Sequence, residues 1–216
     1  MFINRGPLRG NLAAKFSSVF ELNLFKGSQS LSGAGSDFEQ TKTLAANLPI
    51  VLNKLNVSSL LDVPCGDFNW MSQVNLSSIS YTGADVVPQL IQNLNLRFES
   101  NSRTFTELNI VEQVPEAHDA IFSRDLFVHL SNHDIHSSIL KMKLSKSSYL
   151  LATTFPSLKK NRNLPLITRG IAWRPINLEI TPFDFPTPIY RIIEECTEGE
   201  GRYADKSIGV WKLSEL

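Results

Sequence analysis

The sequence is poor in cysteine, in net charge and in long apolar runs, and each shortage removes a class of protein. Two cysteines in 216 residues, Cys65 and Cys196, are too few for a disulfide framework and fit a reduced, cytoplasmic setting. No apolar stretch approaches the ~18 residues that a membrane span requires. The N-terminus also lacks the compact apolar segment of a secretory signal. Lysine plus arginine and aspartate plus glutamate stand at 21 each, which leaves no overall field for nucleic acid or an anionic membrane. With 42% hydrophobic and 19% charged residues, the composition is that of a folded globular chain. The length suits one α/β domain with a small appendage.

Residues 1–56 read as a helical extension. Arg5, Arg9 and Lys15 precede the first acid, Glu21; a basic arm packed on the domain is the plainer reading, and an organellar transit peptide the rarer one. Asn11 to Phe25 carries Leu12, Phe16, Val19, Phe20 and Leu24 near one helical face. The small-residue stretch Gly27 to Ser36 follows. Ser36 or Asp37 is then expected to cap a helix toward Lys54, with Glu39 or Gln40 completing the capping pattern and Pro49 kinking or breaking it.

From Val57 the pattern becomes α/β. Strands are expected at Ser59–Val63, Ser80–Asp85, Arg103–Asn109, Asp119–Ser123 and Ser147–Thr153, with helices over Val87–Glu99 and about Asn132–Leu144. Continuous apolar strands joined by helices imply a mostly parallel sheet covered on both faces. Residues 156–188 hold six prolines and interrupt the rhythm, as a functional loop does. Ile189–Glu194 and Ser207–Leu213 read as two closing antiparallel strands.

Three features converge on the carboxyl ends of the strands, where open α/β sheets bind ligands. Asp62-Val63-Pro64-Cys65-Gly66-Asp67-Phe68 ends the first strand in a tight turn. Gly66 there lets backbone approach a ligand, and a helix expected to follow would offer free N–H groups. Asp85 closes the next strand, about twenty residues on, the offset at which an acid bonds ribose hydroxyls. Asn109 closes the third, where a side-chain amide can read an adenine edge.

These segments resemble the motifs of class I S-adenosylmethionine-dependent methyltransferases. Leu60 to Phe68 looks like the first motif, Thr82-Gly83-Ala84-Asp85 the second, and Asp119 to Asp125 followed by Val128-His129-Leu130 the fourth-strand motif. The likeness spans Val57 to Phe155. Pro64, Asp67 and Phe68 stand where most members have glycine, and Asn109 where aspartate is common. The resemblance implies a Rossmann-like methyltransferase fold, a seven-stranded sheet in the order 3-2-1-4-5-7-6 with one antiparallel strand, and helices on both faces. It implies S-adenosylmethionine as cofactor, held by Asp62, Pro64, Cys65, Gly66, Asp67, Phe68, Asp85, Val86, Asn109, Ile110 and Arg124. The subgroup it points to is associated with bacterial polysaccharide or small-metabolite modification.

Arg124, Asp125 and His129 follow the fourth strand, where an acceptor would meet the methyl group. A hydroxyl nucleophile benefits from a nearby base; His129 has a suitable intrinsic pKa, and Asp125 would orient it or bind substrate. A local Arg124–Asp125 ion pair and a rim histidine are the structural alternative. Phe155, Trp173 and Arg174, with Lys159, Lys160, Arg162, Arg169, Phe183 and Phe185 nearby, would clasp a small-molecule or carbohydrate acceptor, or else form a basic loop over a secondary core. Cys65 has no neighbour to make a thiolate and reads as a packing residue. His129, His133 and His136 lack the partners of a metal site, so none is expected. Gly33 to Ser36 lacks the Gly-Lys-Ser/Thr ending of a phosphate loop and is expected to fold over the cofactor. The Gly-x-Gly-x-x-Gly of nicotinamide oxidoreductases is missing, whereas a non-catalytic binding module of the same fold fits these residues too.

Overall fold

The computed structural model describes residues 12–22, 24–25, 28–165 and 172–216. Arg5, Arg9 and Arg169, and with them any N-terminal targeting segment, lie outside the described residues. The order of elements is α1 (Leu12–Glu21), α2 (Phe38–Lys54), β1 (Ser59–Asp62), β2 (Ser80–Asp85), α3 (Pro88–Phe98), β3 (Arg103–Glu107), β4 (Ala120–Ser123), α4 (Asn132–Leu144), β5 (Tyr149–Thr154), β6 (Tyr190–Ile193) and β7 (Ser207–Lys212). One sheet contains all seven strands in the order β3-β2-β1-β4-β5-β7-β6. Strands β1 to β5 pair in parallel, and β7 runs antiparallel to both β5 and β6. The expected topology is therefore the observed one.

Apolar residues side by side in the central strands serve opposite faces, because successive strand side chains alternate. Leu60, Phe122, Leu151 and Val210 join the core under α2 and α3, while Leu61, Ile121, Leu150 and Trp211 join the core under α4. This is why β1, β4 and β5 read as continuous apolar runs. Helix α2 contributes Leu44, Leu48 and Leu52, and α3 contributes Leu90, Ile91 and Leu94. Ser131 caps α4, its hydroxyl accepting from the Asp134 amide, which satisfies one of the helix's orphan donors.

Four local expectations are corrected. Helix α2 runs unbroken through Pro49. Its N-cap position is Asp37, as expected, but the carboxylate accepts from Ser28 and the Gln29 amide, and Gln29 Oε1 caps the Phe38 amide instead. Glu39 and Gln40 complete no capping box; they bind Lys42 and Thr197. The helix expected after the first turn is replaced by one 3-10 turn, Met71–Gln73. Phe68, Trp70 and Met71 anchor that segment by burial, so no helix N-terminus faces the turn. Finally, β3 stops at Glu107; Asn109 begins a turn, accepting from the Val111 amide.

The described part of the 156–188 segment contains no helix or strand yet is not a loose loop. Ile176, Leu178, Phe183 and Phe185 fill the second face beside Trp211. Two asparagines tie the backbone: Asn177 donates to the Pro156 and Leu158 carbonyls, and Asn161 to those of Asn177 and Thr181. Phe183 and Phe185 are thus core residues rather than acceptor contacts. No helix among the described residues is long and apolar enough to cross a membrane.

The Trp211 indole folds back over its own strand. A Cβ on Gly209 would meet it at 2.1 Å, and the indole N–H is already fixed to the Pro186 carbonyl at 2.7 Å. Gly209→Ala is therefore expected to destabilise the protein by about 1–3 kcal/mol through overpacking, read as a lower urea midpoint at unchanged slope.

Candidate active site

The turn after β1 is built around Gly66, whose φ of 53° lies in the left-handed region that glycine tolerates. A Cβ here would sit 2.2 Å from Ser32 Oγ, so the glycine also admits a strap, residues 28–36, pressed against the turn. Asp67 holds the strap down, its carboxylate accepting from Ser30 Oγ at 3.0 Å and the Leu31 amide at 2.8 Å. The Asp67 amide donates in return to Ser32 Oγ. Gly33 to Ser36, singled out in the sequence as a cover, lies in this strap.

Behind the turn, Asp62 is buried and accepts from the Tyr81 hydroxyl at 2.6 Å. Burial raises its pKa to about 7 even though the Tyr81 hydrogen bond opposes the rise. Asp85 closes β2 and accepts from the Gly66 and Val87 amides at 3.3 and 3.1 Å. Burial raises its pKa to about 6, against the lowering effect of those amides. Tyr81 carried no warning in the sequence, since a strand tyrosine is ordinarily a packing residue.

A cleft of about 1060 Å³, open mouth included, spans this edge. From the turn it is lined by Asp62, Pro64, Cys65, Gly66 and Asp67; from beyond β2 and β3 by Asp85, Val86, Asn109 and Ile110. Arg124, Asp125 and His129 come from beyond β4, and Leu12, Phe16, Phe20 and Phe25 from the N-terminal segment. Phe68 is the exception among the residues expected there. Its ring points away into the core, 5.2–5.3 Å from the rings of Tyr81, Phe98 and Phe105, with the Arg103 guanidinium over it.

Beyond β4 lies a buried cluster of four charges. Arg124 donates from Nε and Nη2 to one Glu194 oxygen at 3.0 and 2.7 Å, and from Nη2 to the Gly35 carbonyl. Lys206 Nζ reaches Asp125 Oδ2 at 2.6 Å, and Arg124 Nη1 lies 3.3 Å from the same oxygen. Burial opposes the Arg124 charge, but Glu194 and Asp125 outweigh it and hold the pKa above its ordinary value. Burial likewise works against the Asp125 carboxylate; Lys206 and Arg124 prevail and bring its pKa down to about 2. Asp125 sits at a left-handed φ of 56°, steadied by its amide donating to Thr153 Oγ1 at 2.8 Å. Its Oδ1 is buried with no hydrogen-bond partner among the described residues. The sequence signalled neither Glu194 nor Lys206: each is a charge flanking a terminal strand, and only the sheet order brings them to Arg124.

His129 donates through Nδ1 to the Ala172 carbonyl, 3.0 Å away. A carbonyl only accepts, so Nδ1 carries the proton and the neutral ring keeps its lone pair on Nε2. Burial lowers the His129 pKa, which preserves that neutral form. Phe25 stacks on the ring at 5.0 Å. A second cleft begins here, sharing Phe25, Ser32, Ser36, Asp125 and His129 with the first and adding Phe155, Trp173, Glu198, Tyr203 and Lys206. Arg174, expected beside an acceptor, is placed elsewhere. Its guanidinium is spent on the carbonyls of Phe127, Val128 and Arg162 and on Asn132, a strut between the long segment and the start of α4. Among the described residues no group of histidine, cysteine and carboxylate side chains could hold a metal, and both cysteines are free and buried.

No family model and no curated protein matches the chain. Solved structures do. The N-methyltransferase NodS from Bradyrhizobium japonicum WM9, in complex with S-adenosyl-L-homocysteine, superposes at a TM-score of 0.65 and 14% identity, over 92% of this chain and 98% of its own. The chain has the methyltransferase fold. The 1,6-didemethyltoxoflavin-N1-methyltransferase of Burkholderia thailandensis shares that methyltransferase fold at a TM-score of 0.64 and 14% identity, over 93% and 86% of the two chains. The chain spans 66% of the methyltransferase domain of bacterial CtHen1, at a TM-score of 0.48, 16% identity and 53% of this chain.

The charge cluster makes a stability prediction. Glu194→Ala leaves the Arg124 guanidinium, 4% exposed, without its main counter-charge. Breaking one side of a buried pair costs about 3–5 kcal/mol, to be measured by guanidinium denaturation; a loss below about 1 kcal/mol, the level of a surface pair, would disprove the cluster's role.

Proposed function

We propose that the protein is an S-adenosylmethionine-dependent methyltransferase acting on a hydroxyl of a small-molecule or glycan acceptor. One observation carries the reading: the Gly66 turn, the Asp85 carboxylate and the Asn109 turn line one cleft at the carboxyl edge of a methyltransferase-fold sheet. Fold alone does not fix function, so the fit of the residues matters. Asp85 suits the two ribose hydroxyls, and Asn109 with Val86 and Ile110 suits an adenine edge and face. Asp62 and Asp67 offer carboxylates to the methionine ammonium. The cofactor, when bound, supplies an electrophilic methyl group on a sulfonium.

The chain's own groups then have separable tasks. The strap and α1 cover the cleft and exclude water. Asp125, kept ionised by Lys206 and Arg124, binds a second hydroxyl of the acceptor and so orients the nucleophile toward His129. His129 Nε2 takes the proton as the hydroxyl attacks. Positioning contributes much of the rate in such an in-line displacement. Arg124 acts through Asp125 and Glu194 rather than on substrate; of residues 1–56, α1 and the strap serve as cover, while α2 packs into the core of the domain that 57–216 complete. The balanced charge favours a small acceptor over nucleic acid, and the two free cysteines suit a cytoplasmic setting.

Titration calorimetry with S-adenosylhomocysteine tests the cofactor site. Ribose and ammonium are taken to require ionised carboxylates, so affinity should rise with pH as Asp85 and Asp62 deprotonate around 6 and 7, by up to about tenfold per pH unit between those values and about a hundredfold below both. A flat profile, or normal binding by Asp85→Ala, would refute the assignment. Release of S-adenosylhomocysteine from S-adenosylmethionine with alcohol and glycan acceptors tests the reaction; His129→Ala should lower that rate by about 10²–10⁴-fold with binding retained.

A further inference from the structure

The second cleft has a chemistry of its own. Phe155, 2% exposed, forms its floor, and Trp173, 39% exposed, stands with half-buried Tyr203 as walls. The ring centroids lie 5.8 Å (Phe155–Trp173), 6.0 Å (Phe155–Tyr203) and 4.9 Å (Trp173–Tyr203) apart, all edge to face. An edge-to-face contact covers only one face of the receiving ring, and the exposed part of Trp173 keeps ring surface, the negative part of the aromatic quadrupole, open to the cleft. Glu198 lines the same cleft. Its carboxylate accepts only from the Cys196 thiol, at 3.8 Å, and has no ion pair among the described residues. The cleft's one lysine, Lys206, is committed to Asp125. Asp125, Glu194 and Glu198 thus stand against Arg124 and Lys206, an excess of one carboxylate beside the rings.

We propose that this cleft recognises a positively charged amine on the acceptor, held by the Trp173 and Tyr203 rings and the Glu198 carboxylate. The inference rests on the acceptor role given to the cleft above and narrows the substrate to an amino alcohol or an aminated glycan. Ring faces and an unpaired carboxylate both attract a cation, whereas a neutral polyol gains nothing from the charge. The amine group would sit at the far wall, leaving the hydroxyl to be methylated at the junction of the two clefts beside Asp125 and His129.

Choline and 3,3-dimethyl-1-butanol have the same shape and differ in charge, which makes them the probes. Each is titrated into the full chain and followed by the Trp173 indole N–H resonance, with methyl β-glucoside as the polyol arm. Choline should bind about tenfold more tightly than its neutral isostere, a difference of about 1.4 kcal/mol, and Glu198→Gln should weaken choline about fivefold. That variant should bind S-adenosylhomocysteine as the parent does, which also certifies its fold. Equal binding of the two isosteres, a stronger response to the glucoside, or choline affinity untouched by Glu198→Gln would overturn the proposal. Failure of the parent to bind S-adenosylhomocysteine while choline behaves as expected would instead overturn the cofactor reading alone.

Discussion

The Arg124 guanidinium touches three segments that are remote in sequence, and its own neighbour. It donates to Glu194 beyond β6 and to the Gly35 carbonyl in the strap, lies over the Trp70 ring at 5.5 Å, and adjoins its neighbour Asp125. A planar cation with five donors can do this where a lysine cannot. In a buried setting each contact is also obligatory, because an uncompensated guanidinium is costly. The terminal hairpin, the strap and the edge beyond β4 are therefore fixed relative to one another by a single side chain. Asp125 inherits its ionisation and its position from that arrangement.

Around this cluster the edge divides into two chemistries. On the β1–β2 side, burial raises the pKa of Asp62 and Asp85, so those carboxylates gain most from a ligand that brings donors or positive charge. On the β4 side, neighbouring cations keep Asp125 ionised and burial keeps His129 neutral. Carboxylates of one residue type thus hold different proton affinities according to what surrounds them. Neutral His129 and ionised Asp125 are both proton acceptors, and they meet where the two clefts join.

The strand pattern was legible because fully buried parallel strands leave continuous apolar runs, and every expected strand is present. Asp62, Gly66 and Asp85 were legible for a related reason: a turn at a strand end needs particular residues, and those residues are few. Phe68 misled because it adjoins the turn in sequence, while its left-handed backbone swings the ring into the core. Arg174 misled because a cation in a proline-rich segment looks solvated until buried carbonyls claim it. The helix missing after β1 could not be foreseen from residues 68–74, whose aromatics pack the segment without one. Tyr81, Glu194 and Lys206 were invisible since their partners lie 19, 70 and 81 residues away, and no motif in the sequence joins those pairs.

The contact between the strap and the first turn has a consequence for traffic. Asp67 faces the cleft, yet Ser30 and the Leu31 amide already occupy its oxygens, and the Ser32 hydroxyl fills the space that any side chain at residue 66 would take. A molecule that reaches this carboxylate must share it with the strap or displace the strap from it. Occupying Asp67 and seating the cover would then be one coupled event, linking the cleft to a serine-rich stretch more than thirty residues upstream.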